Sequence, residues 1–135
     1  MAYTAEQIIQ WCESEWDGWK ADCSGFAKAV CSQANVQLSG RANQIIDFLE
    51  SSPAWENLGA APATATLRAH GGRLVIGGLK QQPNGHVVIV VKAAAQNYPV
   101  AYWGRLGGVG RKNTTINWSW NAVDRPLVHY FCFKP

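Results

Sequence analysis

The sequence has no long apolar run. Its longest strongly apolar stretch, Val87 to Val91, has five residues and ends at Lys92, whereas a helix needs about 20 apolar residues to cross a bilayer. The N-terminal stretch 1–7 also lacks the basic region and apolar core of an ordinary secretory signal. We therefore expect no membrane insertion and no signal peptide.

Paired cysteine motifs are missing as well. The chain has four cysteines: Cys12, Cys23, Cys31 and Cys132. Their spacings of 11, 8 and 101 positions match no paired zinc-binding pattern, so a structural zinc site is not expected. If Cys23 is a free nucleophile, at most one disulfide can form among the other three. A bond between Cys12 and Cys132 is conceivable, because the first helix and the last strand could meet in the core.

Charge is sparse and nearly balanced. Twelve Lys and Arg against nine Asp and Glu give a formal net charge of +3, and the basic residues are scattered. This surplus suits an anionic partner but is too small to predict binding to nucleic acid. With 135 residues, 47% of them hydrophobic, the chain can bury one sizeable core. We therefore expect a single domain over 1–135.

The first part of the chain has helical periodicity. Thr4 and Gln7 have the spacing of a capping box. We predict helices over 5–16, 23–34 and 41–51, the first of them ended by Asp17-Gly18. The stretch 53–72 lacks clear periodicity and is predicted to be connecting structure, with at most a short helix at 63–69.

β-branched residues dominate the chain after Gly72. We predict strands over 73–76, 86–92, 99–103, 114–120 and 127–133, with turns over 77–85 and 93–97. Helices followed by an antiparallel sheet are the order of an α+β domain.

Two residues occupy positions that favour chemistry. Cys23 would begin the second helix, where unpaired N–H groups and the helix dipole favour a thiolate. His86 would begin the most apolar strand, directly after Gly85. A cysteine nucleophile facing a histidine base would make a small hydrolase. The alternative is that Cys23 is simply buried, as free cysteines often are, and that His86 is a turn residue.

Several separate segments resemble a known family. Asp22-Cys23-Ser24-Gly25-Phe26 and the segment 85–90, Gly-His-Val-Val-Ile-Val, resemble the two signature segments of the NlpC-type cysteine peptidases, papain-like enzymes that cut peptidoglycan peptides. The resemblance to the first family of type VI secretion amidase effectors is closer still. It adds Arg41-Ala42-Asn43, the segments 75–80 and 98–99, and Asp124-Arg125. This likeness covers most of the chain.

The resemblance implies a papain-like, NlpC-type α+β fold with N-terminal helices packed on an antiparallel β-sheet. It also implies that Cys23 attacks a peptide carbonyl, while His86 takes the thiol proton and later protonates the leaving amine. The backbone N–H of Cys23, at a helix start, would stabilise the oxyanion. No metal and no other cofactor is required.

The third catalytic member is less defined. Papain-like enzymes usually carry a polar side chain on the strand after the histidine, but 98–103 contains no Asp, Asn or His. Three alternatives stay open: a backbone carbonyl from Ala101 to Trp103, which we favour, the side chain of Asn97, or a two-residue dyad. The resemblance assigns Asp22 and Ser24 to binding of the stem peptide, and helix capping is the alternative for both.

The resemblance implies a peptidoglycan amidase that hydrolyses the stem peptide between γ-D-glutamate and meso-diaminopimelate. Cleavage of the crosslink from diaminopimelate to D-alanine is the alternative. It further implies delivery by a type VI secretion apparatus into the periplasm of a recipient bacterium, and a cognate immunity protein that plugs the site. Two other classes stay open: a non-catalytic module that binds cell-wall peptide or protein, and a thiol acyltransferase of the same broad fold.

Other histidines and tryptophans have weaker claims. We expect structural or solvent roles for His70 and His129. Trp103, Trp118 and Trp120 could line a groove for sugar or peptide, since aromatic side chains offer a large contact area. For at least two of them we expect core packing instead.

Overall fold

A computed structural model describes residues 3–94 and 96–134. The helices are α1 (Ala5–Trp19), α2 (Cys23–Gln33), α3 (Ala42–Ser51) and α4 (Pro62–His70). The strands are β1 (Trp55–Gly59), β2 (Val75–Leu79), β3 (His86–Val91), β4 (Val100–Trp103), β5 (Arg111–Thr115) and β6 (His129–Phe133). Two single-turn 3₁₀ helices, Ile116–Trp118 and Arg125–Leu127, connect β5 to β6.

The six strands form one sheet in the order β1-β6-β2-β3-β4-β5, and every neighbouring pair is antiparallel. The predicted α+β class, with N-terminal helices on an antiparallel sheet, is therefore confirmed, and it is consistent with a papain-like fold. The hairpin of β2 and β3 pairs Leu79 with His86. His86 is thus the first residue of an interior strand, directly after the loop that connects β2 to β3.

Both faces of the sheet are covered. Val87 and Ile89 of β3 belong to the core that α1, α2 and α3 pack against. Val88 and Val90, which point the other way, belong to a second core on the side of α4. A strand that is buried on both faces is expected to be apolar without alternation, which explains the continuous run of β3.

The two cores also determine which cysteines can lie close to each other. Cys12 lies in the first core and Cys132 in the second, so the sheet separates them. The disulfide that was conceivable between them is therefore not formed, and all four cysteines are free.

Helix α1 is longer than predicted. Asp17-Gly18 does not end it, and the helix runs on to Trp19. Glycine inside a helix costs about 1 kcal/mol relative to alanine, and tertiary contacts of the last turn offset this. The indole Nε1 of Trp16 donates to the carbonyl oxygens of Trp103 and Arg111, both at 3.1 Å. The Trp19 ring lies directly against the backbone of Gly25.

Three predictions for the sheet need correction. Strand β1 was not predicted, and it pairs as an edge strand with β6. β2 continues through the predicted turn residues Gly77 and Gly78, which pair with β3. Glycine is needed at Gly78 because a Cβ there would lie 2.9 Å from Ile46 atoms. The predicted strand at 114–120 is instead the end of β5 followed by a 3₁₀ turn. The predicted turn at 93–97 includes Ala95, which lies outside the described residues.

A close backbone contact fixes α2 to the end of β4. A Cβ atom at Gly104 would lie 2.5 Å from the carbonyl oxygen of Asp22 and still closer to that of Trp19. The Lys20 carbonyl accepts hydrogen bonds from the N–H groups of Arg105 (3.0 Å) and Gly110 (2.7 Å). These contacts set where the first residue of α2 stands relative to the sheet.

Replacing Gly104 by alanine should therefore destabilise the protein. Backbone atoms cannot move aside as a flexible side chain can, so we expect Gly104→Ala to lower the free energy of unfolding by roughly 3 kcal/mol. Gly108→Ala is the matched control, because a Cβ there would meet only the Arg105 side chain at 3.7 Å, and its effect should stay within about 0.5 kcal/mol. Urea unfolding measures both, and equal stabilities would contradict the close contact.

Candidate active site

Cys23 is the first residue of α2, and only 5% of its surface is exposed. Asp22 caps the helix: its Oδ1 accepts hydrogen bonds from the backbone N–H of Gly25 (3.1 Å) and from Ser24 Oγ (2.9 Å). Burial opposes ionisation of the Asp22 carboxyl, but these two bonds bring its pKa below the ordinary value. The cap fixes the first turn of the helix, and with it the position of the cysteine.

The structure brings Cys23 and His86 together. They belong to elements that pack on each other, α2 and β3. Both residues also line one cleft of about 520 Å³. A helix start and a strand start, 63 positions apart in sequence, thus meet at a single cavity.

A second cleft of about 240 Å³ adjoins the first at Cys23. Asp22, Ser24 and Arg41 contribute to its wall. The two residues predicted to bind stem peptide therefore lie beside the candidate nucleophile, although the contacts that they make in the structure are those of a helix cap. Their role in substrate binding stays a prediction.

His86 lies edge-on to two buried tryptophans. Its ring centroid is 5.2 Å from that of Trp120 and 6.4 Å from that of Trp103, with interplanar angles of 71° and 88°. Burial, followed by the positive charge of Arg105, lowers the pKa of His86 to about 4. The imidazole is therefore neutral at physiological pH and free to accept a proton.

Burial raises the pKa of the Cys23 thiol above its ordinary value. Hydrogen bonds from the backbone of Val87, Ser24 and Cys23 itself work in the opposite direction, and the charge of Asp22 adds to the increase. The thiolate expected from the helix start alone is thus not what these surroundings favour. The resting pair is a thiol beside a neutral imidazole.

No third member is evident at His86. Its Nε2 atom is buried and has no hydrogen-bond partner in the described part of the chain. Ala101 pairs with Val90 of β3, four residues and about 13 Å along the strand from His86. Asn97 precedes β4 and lies towards the far end of β3, so it cannot orient the histidine. A carbonyl nearer Trp103 stays a prediction.

One wall of the main cleft was predicted only through its tryptophans, and its polar residues Asn117, Ser119 and Asn121 were not predicted. Asn117, Trp118, Ser119 and Asn121 line it from the segment after β5, which had been predicted as a strand. Gln81 and Asp124 close the cleft further out, with Gln81 Nε2 at 3.3 Å from Asp124 Oδ2. The segment 117–121 begins in the 3₁₀ turn Ile116–Trp118. So short a turn leaves no periodic pattern in the sequence.

The tryptophans divide as predicted. Trp103 and Trp120 are buried, whereas Trp118 is 56% exposed at the rim of the cleft and stacks beneath the Arg111 guanidinium at 4.5 Å. His129 is exposed, and His70 lines a separate groove near α4. Neither histidine reaches the cleft of Cys23.

Within residues 3–94 and 96–134, no group of three or more His, Cys, Asp or Glu side chains is placed to hold a metal ion. None of the helices in these residues is long and apolar enough to cross a membrane.

Comparison with known proteins gives one informative match. No family model matches the chain. Over 140 aligned positions, however, the chain is 34% identical to the peptidoglycan amidase Tse1 of Pseudomonas aeruginosa. The match covers 94% of this chain and 89% of Tse1, so the likeness extends over almost the whole of both proteins.

Iodoacetamide should label Cys23 ahead of the other cysteines. Cys23 lines a cleft, whereas Cys12, Cys31 and Cys132 have no exposed surface. Because its pKa is raised, the labelling rate of Cys23 should climb with pH through a midpoint above the ordinary thiol value. Mass spectrometry of peptides at a series of pH values measures both. A midpoint below the ordinary value would mean that the helix start outweighs burial.

The neutral histidine should make the fold sensitive to acid. The ordinary pKa is 6.5, and the folded value is about 4. At pH values between these two, His86 binds a proton in the unfolded chain but not in the folded protein. The free energy of unfolding should therefore fall as the pH drops through this range. Above it, the contribution is fully present. Urea unfolding should show a shallower pH slope for His86→Gln than for the wild type. Equal slopes in the wild type and His86→Gln would contradict the burial of a neutral ring.

Proposed function

Because the chain belongs to the family of peptidoglycan amidases that includes Tse1, we propose that it hydrolyses an amide bond of the peptidoglycan stem peptide with Cys23 as nucleophile and His86 as base. One observation carries the assignment of residues: the thiol at the start of α2 shares a cleft with a half-buried imidazole that is neutral at physiological pH. A nucleophile beside its base in a cleft is the minimum that acyl transfer requires.

The neutral pair sets the order of proton transfers. As the Cys23 sulfur forms a bond to the peptide carbonyl carbon, the thiol proton moves to the free nitrogen of His86. The tetrahedral intermediate then collapses: the C–N bond breaks, and His86 returns the proton to the departing amine. A thioester remains on Cys23. Water then attacks it with His86 as base, and release of the acid restores the thiol.

The start of α2 supports the oxyanion. The backbone N–H groups of Cys23 and Ser24 belong to the first turn of α2, where a helix leaves its N–H groups without partners inside the helix. Unpaired N–H groups at a helix start are preorganised donors, and one such donor is worth roughly 10²- to 10³-fold in kcat. Burial makes them more effective, because the site has a low dielectric constant.

The two clefts that meet at Cys23 suit a chain that passes over the nucleophile. One side offers Asp22, Ser24 and Arg41, and the other offers mainly amide and aromatic side chains. We assign the scissile bond to the link between γ-D-glutamate and meso-diaminopimelate, with Asp22 and Ser24 holding the stem. The crosslink from diaminopimelate to D-alanine is the alternative bond.

We also infer an antibacterial role for this activity. In this proposal the protein is a type VI secretion effector that acts in the periplasm of a recipient cell. A cognate immunity protein then protects the producer by covering the cleft. The exposed apolar side chains of Leu106 and Trp118 at the cleft support such a contact, because large hydrophobic side chains are favoured in protein interfaces.

Digestion of purified sacculi and of a stem tetrapeptide tests the reaction. The wild type should release fragments whose masses identify the broken bond, while Cys23→Ala should lose activity by at least about 10³-fold. Cys132→Ala, a buried cysteine on the other face of the sheet, should keep it.

Other results of the digestion would indicate a different function for this protein. Unchanged substrate with the wild type would leave a binding module as the better description. Fragments that carry an added acyl group, without hydrolysis products, would indicate a thiol acyltransferase.

A further inference from the structure

The His86 ring is held without a polar partner. Papain-like sites usually orient the histidine through a polar group, yet here Nε2 is buried and unpaired among the described residues. What surrounds the ring instead is aromatic, with Trp120 and Trp103 both edge-on to it. The geometry points to these tryptophans as the means by which the ring is held.

We propose that Trp120 is the positioning residue of His86 and takes the place of a polar third member, with Trp103 as the second wall. The proposal rests on the catalytic role of His86 given above. Trp120 does not touch the reacting atoms in it, and acts only by fixing the imidazole plane and excluding water from Nε2.

Trp120 is well placed to be rigid. Only 4% of its surface is exposed. Its backbone N–H donates to the Ile116 carbonyl at 2.9 Å, and its own carbonyl accepts from Arg125 Nη1 at 3.0 Å. Arg125 is itself fixed, since its guanidinium stacks on the Tyr98 ring at 4.6 Å. A buried side chain on a backbone that is anchored on both sides can hold a neighbouring ring at a fixed angle.

The edge-on arrangement has a physical preference. Aromatic rings carry negative faces and positive edges, so T-shaped pairs with centroids about 4.5 to 7 Å apart are favoured beyond the burial of their area. Both pairs at His86 fall in this range. Because Nε2 is enclosed, Nδ1 is left as the ring nitrogen that is open to Cys23.

The charges around the ring are few. Cys23 faces it from α2, Arg105 from the segment after β4, and Asp124 lines the same cleft from the turn before β6. Arg105 disfavours a charged imidazole, as the apolar walls do. Removing an aromatic wall would admit water, so the pKa of His86 should rise from about 4 towards 6.5.

Ser119 is the alternative candidate for orienting His86. Its Oγ is also buried and unpaired within the described residues, and it lines the same cleft. If a hydrogen bond from Ser119, direct or through a water molecule, orients His86 during catalysis, the aromatic walls are merely packing.

The test compares Trp120→Leu, Trp120→Phe and Ser119→Ala with a matched control, Trp55→Phe. Trp55 is equally buried at 4%, but it packs on Phe133 at the far edge of the sheet. The pH dependence of kcat/KM should show an acidic limb near pH 4 in the wild type that moves towards 6.5 in Trp120→Leu. In the same variant kcat should fall by up to about 10²-fold, with KM little changed.

Trp120→Phe should shift the limb less and in the same direction, which keeps the proposal testable if the leucine variant does not fold. Ser119→Ala and Trp55→Phe should leave the limb in place. A folded Trp120→Leu with the wild-type pH profile would overturn the proposal. So would a limb shift in Ser119→Ala without one in Trp120→Leu.

A readout that needs no activity separates this proposal from the proposed function. In a Cys23→Ala background, NMR of the imidazole nitrogens reports the pKa and tautomer of His86 directly. Adding Trp120→Leu should raise the pKa and mix the tautomers. If it changes neither, the positioning role is wrong even where hydrolysis is found. If it changes both while no hydrolysis is found, only the catalytic assignment fails.

Discussion

The turn between α1 and α2 packs against the loop after β4 with no room for a side chain between them. Gly104 lies against the carbonyl groups of Trp19 and Asp22, and the Lys20 carbonyl accepts two hydrogen bonds from the loop. Because α2 begins at this junction, its first residue has a fixed height above the sheet. The pairing of β2 with β3 fixes His86 from the other side. The site is thus the meeting point of two backbone constraints.

Burial, more than the helix start, sets the chemistry of the pair. A helix N-terminus stabilises a negative charge by at most about 2 kcal/mol, or about one and a half pKa units. Cys23 is almost fully enclosed, and Asp22 places a negative charge next to it. Loss of hydration outweighs the dipole, so the pKa of the thiol is raised and the proton stays on sulfur. Loss of hydration, followed by the charge of Arg105, also keeps His86 neutral.

Local signals were the most reliable part of the sequence. The capping box of Thr4 and Gln7 is present, and α2 begins at Cys23 as the pattern indicated. His86 begins its strand as predicted. These features depend on neighbours within a few positions. The candidate nucleophile and base could therefore be named, although only the fold brings them together.

The failures all depend on distant contacts. The end of α1 is decided by where the Trp16 indole finds its acceptors, 87 and 95 positions away. The proposed disulfide failed because nothing local tells on which face of the sheet a cysteine points. The cleft wall at 117–121 includes a 3₁₀ turn. The apolar residues of this stretch led to the prediction of a strand instead. The aromatic walls of His86 come from β4 and from that same segment, so no spacing rule relates them.

Strand β3 is an interior strand whose residues 87–91 are enclosed by apolar side chains on both faces. Amide protons in such a strand exchange with solvent only through global unfolding, whereas frayed ends and loops exchange through local opening. The candidate base, His86, is therefore joined directly to a segment, 87–91, that should be among the slowest to exchange. Partial melting at the periphery leaves His86 in place, and heat inactivation should follow the loss of the whole fold.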